Sequence, residues 1–312
     1  MMRSAFASLV CLLSVVCTIH LAWAVEYHSN TEQFWELGLG SRSAALGGAS
    51  CALSDDASAL MYNPAGLARL EGQSVLSAAL THPGVGTYGH VTASLGSIAA
   101  SLHYFDFGTI QQTDVAGNPT GSFSYRNVGL LLGTGAGAVD IPLVSRLRQS
   151  ELLSFGAALK ITAIDTLDPG DGFGISTILG LLIHVPSQSL SPLQLPPFVV
   201  GITFDDAIAI PIAYKSGHRE LQVPKVHVGV AIRAAEDVLA MVEATSDESF
   251  HVGLEWSPSS LLTLRAGASW VGQWLPGCGV EIGRSNLSIS LAVAMHPVLG
   301  PRLRGTFLMD WD

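Results

Sequence analysis

Charge is scarce in this chain. Only 13% of its 312 residues are Asp, Glu, Lys or Arg, about half the share usual in soluble domains, while 48% are hydrophobic and the mean hydropathy is +0.42. The formal net charge is −10, so the basic stripe that nucleic acid requires is missing and nucleic acid is excluded as a partner. Catalytic signatures are missing as well. No Gly-x-Ser-x-Gly elbow, His-Glu-x-x-His, Cys-x-x-Cys or phosphate loop occurs, and Gly133–Gly137 (GTGAG) lies in an apolar stretch with no helix after it. The ten His residues show no metal-ligand spacing. These absences argue against an enzyme, a metal site and a cofactor.

Long apolar runs are absent beyond the first two dozen residues. Ser8–Ala24 follows a single basic residue, Arg3, and ends in Ala22-Trp23-Ala24, the small-x-small form of a signal-peptidase site. Residues 1–24 therefore read as an export signal cleaved after Ala24, with an uncleaved anchor as the alternative. Val15-Val16 before Cys17 make a poor lipobox and argue against a lipoprotein. From Val25 onward no stretch reaches the roughly 18 apolar residues of a spanning helix. What remains for a hydrophobic, weakly charged chain is a closed barrel, because lipid offers no partner to the edge of an open sheet.

The barrel signature is a series of roughly ten-residue segments that alternate apolar and polar, and the chain supplies it. In Ser154–Ile164, Phe155, Ala157, Leu159, Ile161 and Ala163 share one face, against Ser154, Gly156, Lys160 and Thr162 on the other. Val226–Arg233, Leu262–Trp270 and Asn286–Met295 repeat the pattern, with mostly small residues on the polar face. Fourteen such segments can be placed, near 74–81, 87–95, 98–105, 124–136, 152–164, 173–184, 198–204, 226–233, 237–245, 250–257, 261–270, 276–283, 286–295 and 302–311. The expectation is an all-β transmembrane antiparallel barrel of about 14 strands.

The tightest connections, Gly96-Ser97, Ala234–Glu236, Pro258–Ser260 and Arg284-Ser285, all follow even-numbered segments and so share one end, the periplasmic one, where both termini would also lie. Gly96-Ser97 pairs Leu95 with Ile98 on the lipid face, and Arg284-Ser285 pairs Gly283 with Asn286 on the lumen side. Three-residue turns set Arg233 opposite Asp237 and Glu255 diagonal to Arg265, two expected ion pairs. The lumen-facing candidates are Lys160, His227, Arg233, Asp237, Glu243, Glu255 and Arg265; the alternative is a solvated interior wall without function. Leu239 and Met241 on the lumen side favour an apolar path. Ala138–Glu151 and Val185–Pro197 break the short-turn rule, while Asp106–Phe123, Asp165–Gly172 and Asp205–Lys225 read as long outer loops.

Ahead of the first strand, residues 25–73 do not alternate. Ser54 and Asp55 can cap a short helix, Asn63-Pro64 breaks it, and Pro64 can start another turn. A compact unit rich in Gly and Ala before a barrel reads as a plug packed in the lumen, with residues 74–312 as the barrel; a periplasmic tail is the alternative. Cys51 and Cys278 remain after the signal is removed, either as a disulfide from plug to wall or as two free buried thiols.

The run GSRSAALGGAS (40–50) followed by DDASALMYNPAGLARL (55–70) resembles the N-terminal region of the PorV/PorQ family, which groups with FadL-type outer-membrane channels carrying an Asn-Pro-Ala motif in a plug. Stretches 104–123, 199–206, 223–233 and 251–270 fit the same pattern. The resemblance implies a plug motif at Asn63, Pro64, Ala65 and Gly66, with Arg42, Gly47, Gly48, Asp55 and Asp56 around it. It implies a location in the outer membrane of a Gram-negative-type bacterium and passage of small hydrophobic compounds. The other role it implies is docking or shuttling in type IX-like protein secretion. The partners would then be outer-membrane lipid and a small hydrophobic ligand or a secreted protein. Trp311 followed by Asp312 departs from the usual barrel ending.

Overall fold

A computed structural model describes residues 33–53, 55–82, 86–140, 152–187, 196–284, 286–297 and 300–311. The expected signal peptide therefore lies outside the described residues, and no helix among them is long and apolar enough to cross a membrane. The described chain is mostly strand: β1 (Gln73–His82), β2 (Gly86–Leu95), β3 (Ile98–Thr113), β4 (Pro119–Gly137), β5 (Leu153–Asp165), β6 (Gly172–Val185), β7 (Phe198–Asp205), β8 (Ala209–Tyr214), β9 (Arg219–Glu220), β10 (Lys225–Ala235), β11 (Val238–Thr245), β12 (Phe250–Ser259), β13 (Leu262–Trp270), β14 (Trp274–Arg284), β15 (Leu287–His296) and β16 (Gly300–Trp311). Each of the fourteen expected segments coincides with one of these.

Neighbours pair antiparallel in chain order, and the β1–β16 pairing closes the ring. β7 and β8 are one strand interrupted by a bulge. Phe204 pairs with Leu179 and Ala209 with Ser176, so two extra residues are accommodated between them. Asp206, at φ 53°, takes the left-handed conformation the bulge needs, and Ala207 N–H still reaches Thr177 O at 3.0 Å. β9 pairs with β8 through Ile212 and Glu220 and runs on towards β10, so the sheet is a closed barrel of fourteen strands. The stretch expected as a 205–225 loop is thus largely wall. The expected loop at 106–123 is likewise a hairpin extension of β3 and β4, with a turn only at 114–118.

Alternation sets the faces. Leu95 and Ile98 pair directly and point outward, as expected, and Leu102, Ile282, Ile289, Leu291 and Leu303 extend the apolar outer belt. Trp270 and Trp274 pack edge to face at one rim, with centroids 5.5 Å apart. At the other rim Trp256 Nε1 donates to Asp237 Oδ2 at 2.9 Å and Trp311 Nε1 to Gln73 Oε1 at 3.1 Å. Amphipathic rings at the two ends of an apolar belt are what the two membrane interfaces favour.

Three turns differ from expectation. Glu255 stands directly opposite Arg265, where a diagonal was expected. Arg284 pairs with Leu287 and Gly283 with Ser288, so the partner of Gly283 lies two residues beyond the expected Asn286 and the faces are kept. Arg233 pairs with Leu239, and after an irregularity Ala235 pairs with Val238, which places Asp237 in the turn. The expected Arg233–Asp237 ion pair therefore does not form; Arg233 Nη1 donates to Glu236 O at 3.3 Å instead. The 138–151 and 185–197 connections fall largely outside the described residues.

Inside the ring lie three short helices, α1 (Gln33–Glu36), α2 (Gly40–Ala45) and α3 (Ala59–Tyr62), and a 3₁₀ turn at Pro64–Arg69. α3 starts later than the expected Ser54-Asp55 cap; Asp56 Oδ1 instead accepts from Ser58 N at 2.7 Å just ahead of it. Phe34, Trp35, Leu60 and Leu67 pack with Leu80, Tyr88, Leu131 and Ile178 of the wall. Leu46, Ala49 and Ala52 pack with Ala231 and Met241, so Met241 is covered by the segment, while Leu239, half-buried against the same cluster, lines a cavity at the end of the tight turns.

Candidate functional site

The site is the contact between residues 33–70 and the inner face of the barrel. Close approach is achieved with glycine on the wall. A Cβ added at Gly156 would stand 2.1 Å from Pro64 C, at Gly135 2.3 Å from Ala68 N, at Gly201 2.3 Å from Cys51 O and at Gly267 2.2 Å from Leu46 C. These are backbone-to-backbone contacts on four strands around the ring. From the segment's side, Gly47 has φ 64° and a Cβ there would meet Ala268 backbone at 2.4 Å, so only glycine serves.

Asn63 fixes the turn. Its Oδ1 accepts from Ala65 N at 3.2 Å, and its Nδ2 donates to Cys51 O at 2.9 Å and to Leu181 O of β6 at 3.1 Å. Pro64, Ala65 and Gly66 are buried behind it. One amide thus caps a helical turn, ties two parts of the segment together and anchors both to the wall. Thr203 Oγ1 adds a bond to Tyr62 O at 2.8 Å.

Charge reinforces the contact. Arg42 Nε donates to Glu255 Oε2 at 2.9 Å and Nη2 to Asp55 Oδ2 at 3.2 Å, while Nη1 reaches Asp56 Oδ2 at 3.1 Å. Glu255 lies directly opposite Arg265 and pairs with it at 2.6 Å; Arg265 Nη1 continues to Glu281 at 2.9 Å. Glu243 Oε2 accepts from the backbone N–H groups of Ser50 and Cys51 at 2.7 and 2.8 Å, and Oε1 lies 3.0 Å from His227 Nδ1. His251 Nδ1 donates to Gly47 O at 2.7 Å, and Gly48 sits over the same ring. Lys160, 2% exposed, pairs with Asp205 at 2.9 Å and Asp206 at 2.6 Å below the Trp35 ring.

Several participants carry no sequence signature of their own. Gly40 N donates to His90 Nε2 at 3.2 Å, and Tyr88 OH donates to Gly38 O at 3.1 Å while accepting from His103 Nδ1 at 2.8 Å. Arg304 Nη1 donates to Gly40 O at 3.0 Å. Inward position on an alternating strand is the only signal that could have found them. Both cysteines are free: Cys51 is buried in the segment, where burial, with the Glu243 carboxylate nearby, pushes its thiol up, and Cys278 is exposed on the outer face.

Cavities flank this contact. One of about 490 Å³ opens at the end carrying the Trp270–Trp274 rim and is lined by Lys160, Asp205, His227, Asp247, Arg302 and Arg304 among others. A second, of about 770 Å³, opens at the end of the tight turns and is lined by Arg69, His184, Arg233 and Asp310 among others. They share no lining residue.

No protein-family model matches the sequence, and no curated protein does. In fold the chain is similar to the toluene transporter TbuX of Ralstonia pickettii, with TM-score 0.59 and 13% identity over 88% of this chain and 99% of that one. It is similar to the toluene transporter TodX of P. putida, with TM-score 0.58 and 13% identity over 88% and 99%. A FadL homologue of Pseudomonas aeruginosa matches with TM-score 0.51 and 9% identity over 88% and 98%. At these identities the likeness is one of fold, and the PorV/PorQ resemblance rests on sequence motifs alone.

Proposed function

We propose that this chain is an outer-membrane channel for small hydrophobic compounds, with its termini on the periplasmic side and residues 33–70 as the plug that keeps it closed. One observation carries the reading: a helical segment fixed to the wall by Asn63, Arg42 and Glu243 stands between two cavities that have no lining residue in common. Fold likeness to barrels described as toluene transporters supports the compound class. A docking role in protein secretion, which the PorV/PorQ resemblance implies, has only the N-terminal motif behind it.

Deleting residues 41–70 while keeping the export signal should leave a heat-modifiable barrel with large, steady conductance in planar bilayers, where the intact protein is nearly silent. Liposomes carrying the intact protein should take up toluene faster than empty ones. A well-folded deletion that conducts no better than the intact chain would end the plug reading, and uptake equal to that of empty liposomes would end the passage reading.

A further inference from the structure

Residues 33–70 do not sit in the lumen as one block. Phe34 and Trp35 at one end of the segment and Leu60 and Leu67 at the other enter the same apolar cluster, against Leu131 and Ile178 of the wall. Between these two stems, residues 39–53 cross the lumen and return. α2 packs on β13–β16 and β1, while the turn at Pro64–Arg69 packs on β4–β6. In a ring of this strand order those arcs face each other.

The two parts are held by different forces. The stems rest on aromatic and aliphatic burial and on neutral hydrogen bonds: Trp35 Nε1 donates to Thr162 Oγ1 at 2.8 Å, Asn63 Nδ2 to Leu181 O at 3.1 Å and Thr203 Oγ1 to Tyr62 O at 2.8 Å. An ion pair of α1, Glu36 with Lys225, leaves Glu36 half-exposed and adds little. The crossing part has a smaller apolar cluster, in which Leu46, Ala49 and Ala52 meet Ala231 and Met241. Its polar contacts end on ionisable side chains of the wall. Glu255 pairs with Arg42, Glu243 accepts from the N–H groups of Ser50 and Cys51, His251 donates to Gly47 O and Arg304 to Gly40 O. Aromatic rings supply the largest buried areas, so the crossing part detaches at lower cost than the stems and depends more on charge. Gly38 and Gly40, at φ 70° and 75°, lead into it with backbone that favours glycine.

The crossing part is also where the partition is thinnest. Cys51 lines the 490 Å³ cavity and Ala52, the next residue, lines the 770 Å³ one. We infer that residues 39–53 form a lobe that lifts from the β10–β16 arc and joins the two cavities while both stems stay seated. This deepens the proposed function by naming the part of the plug that moves, and it rests on the plug reading.

Planar-bilayer recording and thiol labelling of the purified full chain test the inference, with Cys278→Ala throughout so that one native thiol remains. Arg42→Gln removes the lobe's ion pair with Glu255 and should open the channel to a level below that of the 41–70 deletion, because the stems still occupy part of the lumen. A Cβ at Gly229 of β10 would lie 3.4 Å from Cys51 Cβ, near the roughly 3.5–4.5 Å that a disulfide spans. Gly229→Cys, once oxidised, should therefore abolish the Arg42→Gln openings, and reduction should restore them. In Arg42→Gln, Cys51 should react with a maleimide about tenfold or more faster than with Arg42 in place, as expected for a locally opened segment. A stem thiol introduced by Leu60→Cys together with Cys51→Ala should stay protected in the same background. Openings that persist in the oxidised variant overturn the inference, and so does a stem thiol that reacts as fast as Cys51; where the disulfide does not form, the labelling decides. The 41–70 deletion, recorded in parallel, reports on the plug reading separately, because a silent deletion ends that reading while a conducting deletion beside unaffected pinning ends only the lobe.

Discussion

Replacing Gly156 by Ala adds one methyl group at the tightest point between wall and segment. The new Cβ would stand 2.1 Å from Pro64 C and 2.2 Å from Ala65 N, and Asn63 holds that backbone against Leu181 and Cys51. No flexible side chain can give way, so the segment must move. In an unobstructed strand the same change stabilises by about 0.5–1 kcal/mol. Overpacking of this kind costs about 1–3 kcal/mol, which multiplies the displaced fraction of the segment about 5- to 150-fold. Gly89→Ala is the control, because its Cβ meets only Ala78 O at 3.6 Å. Single-channel recording should show frequent openings for G156A and none beyond wild type for G89A, with melting in detergent lowered only for G156A. Identical conductance and melting for the two variants would refute the claim that this glycine is required by the seated segment.

Arg42→Gln leaves Asp55, Asp56 and Glu255 without their shared cation. Because Arg265 still pairs with Glu255, the cost should fall at the low end for a broken buried pair, about 3 kcal/mol, read as a lower melting temperature and more frequent channel openings. Leu291→Arg, on the outer belt, should destabilise by roughly 2–4 kcal/mol if it sits near the membrane midplane, while Thr263→Arg on the inner face should cost less; chemical denaturation in lipid vesicles compares them, and equal losses would show that the faces are misassigned. Cys51, buried with its thiol held protonated, should resist maleimides until the protein unfolds, whereas Cys278 on the outer face should react with an apolar maleimide and be spared by a charged one in membranes.

The strands were legible because a half-lipid, half-lumen wall imposes period two on side chains, and Gly96-Ser97 sets its register without help from distant parts of the chain. The wall at 206–224 was not, because Asp205-Asp206, Pro211 and Pro224 interrupt alternation where the strand bulges, and turn-forming residues look alike in a loop and in a bulge. Arg233 and Asp237 failed as a pair for a similar reason, since the irregularity at Ala235 shifts the partner of Arg233 to Leu239. Glu255 and Arg265 meet although an irregularity between Trp256 and Ser259 moves them from the expected diagonal to directly opposite positions, because the shift leaves both on the inner face. The polar residues at the site could be named one by one, but not their partners. Arg42 to Glu255 is a separation of 213 residues, and which wall residue meets Arg42 depends on how the segment is rotated inside the ring.

That separation bears on how the molecule assembles. Joining Ser41 to Thr306 closes a chain segment of 265 residues, and joining Gln73 to Trp311, at the β1–β16 seam, closes one of 238. Because ring-closure entropy grows only with the logarithm of length, the first closure costs about 0.1 kcal/mol more than the second. Once the seam has formed, only the short stretch from Ser41 to Gln73 is left to close, so seating the helices costs chiefly the ordering of the segment itself. Pulling the segment out of a finished barrel recovers that same freedom, which leaves its packing, the hydrogen bonds of Asn63 and the ion pairs of Arg42 to set the lifetime of the seated state.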